Sequence, residues 1–114
     1  MPMAFDEELA QRVRDIVAGE RGLTEKRMFG GLAFLIHGNM AVSASGQGGL
    51  LLRVDPARSS ELAGRPHAQL AVMRGREMDG WLRVDAEGVR TARQLEQWVG
   101  RGVAYARSLP ARKP

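Results

Sequence analysis

The 114-residue chain contains no cysteine, which excludes a disulfide framework, a thiolate nucleophile and a cysteine zinc site, and points to a reducing compartment. Lysine occurs only at Lys26 and Lys113, and histidine only at His37 and His67. Neither histidine stands at ligand spacing from the other or from a patterned carboxylate, so no metal site is expected. Aromatic residues make up 5% of the chain, and no base-stacking platform is visible. The longest apolar run, Leu32 to Ile36, is too short to cross a bilayer. The N-terminus, MPMAFDEELAQRVRD, turns acidic and helical without a basic and then apolar leader, so the chain is expected to be cytoplasmic, with no membrane partner.

What is present is ordinary globular material, 44% hydrophobic and 26% charged. At this length one core is the expected solution: a single domain over 1–114 with its core at about 5–109 and a flexible basic tail at 110–114. The net charge of +4 is carried almost wholly by arginine. Positive surface collects phosphates or acidic partners, but the arginines are spread among Asp and Glu, as a GC-rich coding bias would also leave them.

Periodicity sets the element order. Asp6 caps a helix whose Leu9, Val13, Ile16 and Val17 share one stripe, with Glu8 and Arg12 paired on the wet side. Four short strands follow, Thr24 to Phe29, Leu32 to Ile36, Met40 to Ala44 and Leu50 to Val54, with turns at Gly30-Gly31, His37-Gly38-Asn39 and Ser45 to Gly49. Alternation places Leu32, Phe34 and Ile36 on one face, continued by Met40, Val42 and Ala44. Asp55-Pro56 opens a short helix to Ala63. Leu70 to Met73 and Trp81 to Asp85 are two further strands joined by a loop over 74–80. Thr91 and Gln94 form a capping box for a long helix with Leu95, Trp98, Val99, Gly102, Val103, Ala106 and Leu109 inward, ended by Pro110. The expected fold is two-layer α+β, with a mostly antiparallel sheet, helices on one face, and the order α-β(4)-α-β(2)-α.

Chemistry is sparse. There is no Gly-x-Ser-x-Gly elbow, and the carboxylate pairs Glu77/Asp79 and Asp85/Glu87 flank loops, where they cap turns. The clusters Met28-Phe29-Gly30-Gly31 and Gly46 to Gly49 precede strands, whereas a phosphate cradle needs a helix N-terminus, so they read as hairpin turns, with Gly30 and Gly31 supplying positive φ and Met28 and Phe29 apolar contacts. No catalytic, cofactor-binding or metal-ligating residue is predicted, and no cofactor. The basic feature is an arginine side of the last helix, Arg90, Arg93, Arg101 and Arg107, which Arg74 and Arg76 would extend.

Arg27-Met28-Phe29-Gly30-Gly31-Leu32-Ala33-Phe34-Leu35-Ile36 followed by Gly38-Asn39-Met40-Ala41 resembles the N-terminal domain of the TfoX/Sxy family. Leu50 to Val54 is similar to the family's Leu-x-x-Arg strand, and the helix of Trp98, Val99 and Ala106 to its closing helix. The resemblance runs from about Phe5 to Leu109. It implies a secretion-chaperone-like α+β domain and a link to natural competence, where two-domain members act as positive regulators alongside the cyclic-AMP receptor protein. Those members carry a helical C-terminal domain, for which 114 residues leave no room, so a stand-alone domain is expected.

The expected function is that of a non-enzymatic regulatory adaptor with a protein partner, or a homodimer formed through strand edges or an apolar sheet face. The alternative is a nucleic-acid-binding accessory domain using Arg74, Arg76, Arg93, Arg101 and Arg107. A second alternative is a small-molecule binder or enzyme with a pocket between sheet and helices.

Overall fold

In the computed structural model, which describes residues 5–28 and 30–112, the chain runs α1 (Glu7–Val17), β1 (Leu23–Met28), β2 (Gly31–Ile36), β3 (Asn39–Ala44), β4 (Leu50–Arg53), α2 (Ser59–Ala63), β5 (Ala68–Met73), β6 (Arg76–Val84) and α3 (Ala92–Ser108). Short 3₁₀ turns at Pro56–Arg58 and Ala86–Val89 lead into α2 and α3. The fold is α+β, with a six-stranded antiparallel sheet in the order β1-β2-β3-β4-β6-β5.

The helices begin where their caps dictate. Asp6 accepts from the Leu9 N–H at 3.0 Å, and the capping box of α3 is complete, with Thr91 Oγ1 accepting from Gln94 N–H at 3.1 Å and Gln94 Oε1 from Thr91 N–H at 3.0 Å. Each such cap contributes about 1 kcal/mol. Arg12 does not pair with Glu8; its guanidinium reaches the Arg90 carbonyl at 3.2 Å, tying α1 to the entry of α3.

All three helices pack on one face. The main core joins Leu9, Val13 and Val17 of α1, Leu62 of α2 and Leu95, Trp98, Val99 and Val103 of α3 to Phe34, Val42, Leu52 and Leu82 of the sheet. A Cβ at Gly102 would overlap the Ala41 carbonyl, so glycine is what lets α3 press against β3.

Three local readings are corrected. Met40 does not continue the face of Val42 and Ala44: the register between β2 and β3 shifts at Phe34/Leu35, the extra residue being Ala41, which sends Met40 to the opposite face. The loop expected over 74–80 is a two-residue turn followed by the first residues of β6. Met73 pairs with Arg76 across a two-residue turn in which Arg74 (φ 53) and Gly75 (φ 77) are both left-handed, the geometry that matches strand twist. Positive φ belongs to Gly30 (φ 75) and not to Gly31, which opens β2 where a Cβ would strike the Ala44 carbonyl. Phe29 lies outside the described residues.

Residues 110–112 are held to the body. Asn39 Nδ2 donates to the Pro110 carbonyl at 2.9 Å and the Arg112 N–H to the His37 carbonyl at 2.8 Å. The expected free tail therefore does not begin at Pro110; Lys113 and Pro114 lie outside the described residues. No helix among the described residues is long and apolar enough to cross a membrane.

Candidate interaction face

The face of the sheet turned away from the helices has a small core of its own. Ala33, Met40, Leu51 and Ala71 are buried there, with Met28, Leu35, Met73 and Trp81 packed around them and partly exposed, and every one of these residues comes from a strand. The stripe crosses the sheet from β1 to β5, and Met78, 37% exposed and paired opposite Ala71, carries it onto the β5–β6 hairpin. Four of the chain's six methionines thus share one surface. Methionine is unbranched and polarizable, so such a surface can repack around different apolar groups.

Two arginines border this face, Arg53 at its rim, where the side chain also reaches Tyr105 of α3 on the helix side. Arg53 pairs in register with Trp81, and its guanidinium carbon lies 5.5 Å from the Trp81 ring centre and 5.7 Å from that of Tyr105. Arg83 donates through Nη1 to Ser45 Oγ at 3.2 Å and through Nη2 to the Gly48 carbonyl at 3.3 Å. Neither has a carboxylate within salt-bridge distance among the described residues. Beside Arg83 a recess of about 340 Å³ opens among Gln47, His67, Gln69 and Asp85. His67 takes a left-handed backbone (φ 67), and its Nδ1 lies 3.2 Å from Asp85 Oδ1, which also accepts from the Gly88 N–H at 3.1 Å.

The predicted residues fall in different places. Met28 packs on the helix-free cluster, not the main core. Arg107 is claimed by Glu20, to which its Nε donates at 2.7 Å and its Nη2 also donates, and this pairing raises the Arg107 pKa. Arg101 lies over the Trp98 ring, 4.5 Å from its centre. Partial burial, with the like charges of Arg65 and Arg58, lowers the Arg101 pKa. Arg93 is exposed on α3, and Arg74 and Arg76 stand at the β5–β6 hairpin tip. The continuous arginine side is thus broken by an ion pair and a ring contact, and positive charge converges instead on Arg58, Arg65 and Arg101. Arg101 and Arg58, which also pairs with Glu61 at 3.4 Å, border a cleft of about 560 Å³ between α2 and α3 that also holds Asp55 and Glu96. A separate exposed pair, Arg14 and Glu25 at 2.6 Å, fastens α1 to β1 and lowers the Glu25 pKa through the guanidinium hydrogen bond.

The family model of the TfoX N-terminal domain matches residues 15–106. The chain belongs to that family. No curated protein and no solved structure matches it. The match spans β1 to β6 and most of α3, so every strand of this TfoX N-terminal domain's helix-free face lies within it. The signal for that face was present in the sequence as runs without alternation. Leu32 to Ile36 and Leu50 to Leu52 are apolar on both parities, which means apolar contacts on both sides of those strands. The meeting of His67 with Asp85, 18 positions apart, has no such local sign.

Proposed function

We propose that this TfoX N-terminal domain is a regulatory adaptor without chemistry of its own, which binds an apolar, acidic segment of a protein partner on the helix-free face of its sheet. The observation that carries the reading is the methionine-rich stripe that no helix covers, flanked by Arg53 and Arg83, whose charges no carboxylate of the described residues meets. Tryptophan and arginine side by side are the residues that concentrate binding energy at interfaces, and guanidinium groups call for carboxylates. The setting we propose, regulation of competence, rests on the family alone.

Random-peptide display on the whole chain tests this. The enriched peptides should combine apolar residues with Asp or Glu, and Trp81→Ser and Arg83→Met should each weaken a selected peptide by about 10-fold to 100-fold. Arg93→Ala on the helical side should leave affinity unchanged. Peptides without acidic residues that bind all the variants equally would contradict the reading.

The convergence of Arg58, Arg65 and Arg101 favours a second reading, contact with a nucleic-acid backbone along the α2–α3 cleft. Its signature is salt dependence. If it holds, duplex DNA or RNA binds at low ionic strength, and each of Arg58→Ala, Arg65→Ala and Arg101→Ala reduces the slope of log affinity against log salt by about one. Undetectable binding at low salt ends it.

A further inference from the structure

The two edges of the sheet differ in chemistry. The β1 edge reads Leu-Thr-Glu-Lys-Arg-Met, with exposed Glu25, Lys26 and Arg27 along it; charges of this kind protect an edge from pairing with another strand. The β5 edge reads Ala-Gln-Leu-Ala-Val-Met and carries no charge. It also bears Val72, which at 58% exposure is the most exposed large hydrophobic residue among those described.

The ladder shows which backbone groups of β5 are free. Across a two-residue turn the flanking pair, Met73 with Arg76, is the hydrogen-bonded one. At the other end of the strand the Asp85 N–H donates to the His67 carbonyl at 3.0 Å. Alternation from both ends turns His67, Gln69, Ala71 and Met73 toward β6, and leaves the amide and carbonyl of Leu70 and Val72 pointing outward.

We infer that β5 pairs with β5 of a second copy of this chain, antiparallel about a two-fold axis at Ala71. An antiparallel pair sets outward residues opposite outward residues, and in this register Val72 lies opposite Leu70 of the second copy, twice. Both side chains are on the helix side, where Leu70 already packs against the main core at partial exposure. The exposed valine then covers the half-covered leucine, a cross-strand apolar pair. Ala71 meets its own symmetry mate on the opposite face, and Met73 lies opposite Gln69, so no like charges oppose each other along the strand. Arg74 falls opposite Ala68, next to His67 and its neighbour Asp85, which supplies a charge of the right sign at each end. The result is one continuous twelve-stranded sheet. Neighbouring registers lose this match: moving the axis to Leu70 sets Val72 against Ala68, and moving it to Val72 sets Arg74 against Leu70.

The absence of cysteine makes the test direct. The two-fold brings Ala71 opposite itself as a non-hydrogen-bonded pair, whose Cα atoms lie about 4.5 Å apart, within disulfide reach. Under mild oxidation Ala71→Cys is expected to form a covalent dimer in high yield, whereas Thr24→Cys on the β1 edge forms no disulfide-linked dimer. In sedimentation velocity the wild-type chain should run at twice its 12.5 kDa mass. Val72→Lys, at a position that is exposed in the single chain, should weaken the dimer by about 100-fold or more by setting charge against an apolar strand. A wild-type chain that stays monomeric at millimolar concentration overturns the inference. So does a dimer that Val72→Lys leaves intact and Ala71→Cys fails to trap.

Discussion

Gly102→Leu is expected to remove a large part of the folding free energy. Gly102 sits in the middle of α3, where a Cβ would overlap the Ala41 carbonyl and touch Leu52. The neighbour is β3 backbone, which cannot rotate aside as a side chain would. A leucine there must push the longest helix off the sheet, at a cost of about 3 kcal/mol or more against a total of about 5–15 kcal/mol for a typical domain. Two positions earlier on the same helix, Gly100 has no atom within 4 Å of a built Cβ and no left-handed φ. The same glycine-to-alanine change should therefore have opposite signs at the two sites: Gly100→Ala stabilises by about 0.5–1 kcal/mol through helix propensity, and Gly102→Ala destabilises. Urea unfolding of the three variants checks this. Equal effects of alanine at 100 and 102 would show that α3 does not approach β3 closely.

The second large effect separates the two faces of the sheet at consecutive residues. Phe34 is fully buried in the core beneath the helices, and Phe34→Ala should cost about 3–5 kcal/mol through lost burial and a cavity. Leu35 points the other way, onto the helix-free cluster, and keeps part of its surface in water. Leu35→Ala should cost less than about 1.5 kcal/mol while weakening a peptide selected on that face. Chemical denaturation gives the first number and a binding titration the second. A Leu35 variant as unstable as the Phe34 variant would mean that the second face is core and not interface.

The sequence reading reached the architecture because the signals that set it are local. Asp6 and Thr91 cap their helices as their types predict, the apolar stripe of α1 is the stripe that is buried, and glycine-containing turns separate β1 to β4. It failed where one residue of register matters. Nothing in Asn39 to Val42 announces that Ala41 is the extra residue of a bulge, so Met40 was expected on the wrong face, and the methionine stripe could not be assembled without it. The tight turn between β5 and β6, and the early start of β6, were missed for a related reason. Arg76 to Gly80 is polar and contains Asp79 and Gly80, yet Arg74-Gly75 is a good left-handed turn, and the polar strand it starts pairs with β5 alone over its first residues. The arginine side of α3 was legible as a helical pattern, but its charge state was not, because Glu20, which neutralises Arg107, comes from the far side of the sequence. Long-range pairings of this kind, like that of Arg53 with Tyr105, exist only once the fold has formed.

The central claim is that partners are bound by the helix-free face. Its most direct measurement is the amide chemical-shift footprint of a display-selected peptide on the ¹⁵N-labelled chain. The account predicts that perturbations concentrate at Met28, Leu35, Leu51, Trp81 and Arg83, on strands β1, β2, β4 and β6. A footprint confined to Arg58, Arg101 and their neighbours on α2 and α3 would contradict it.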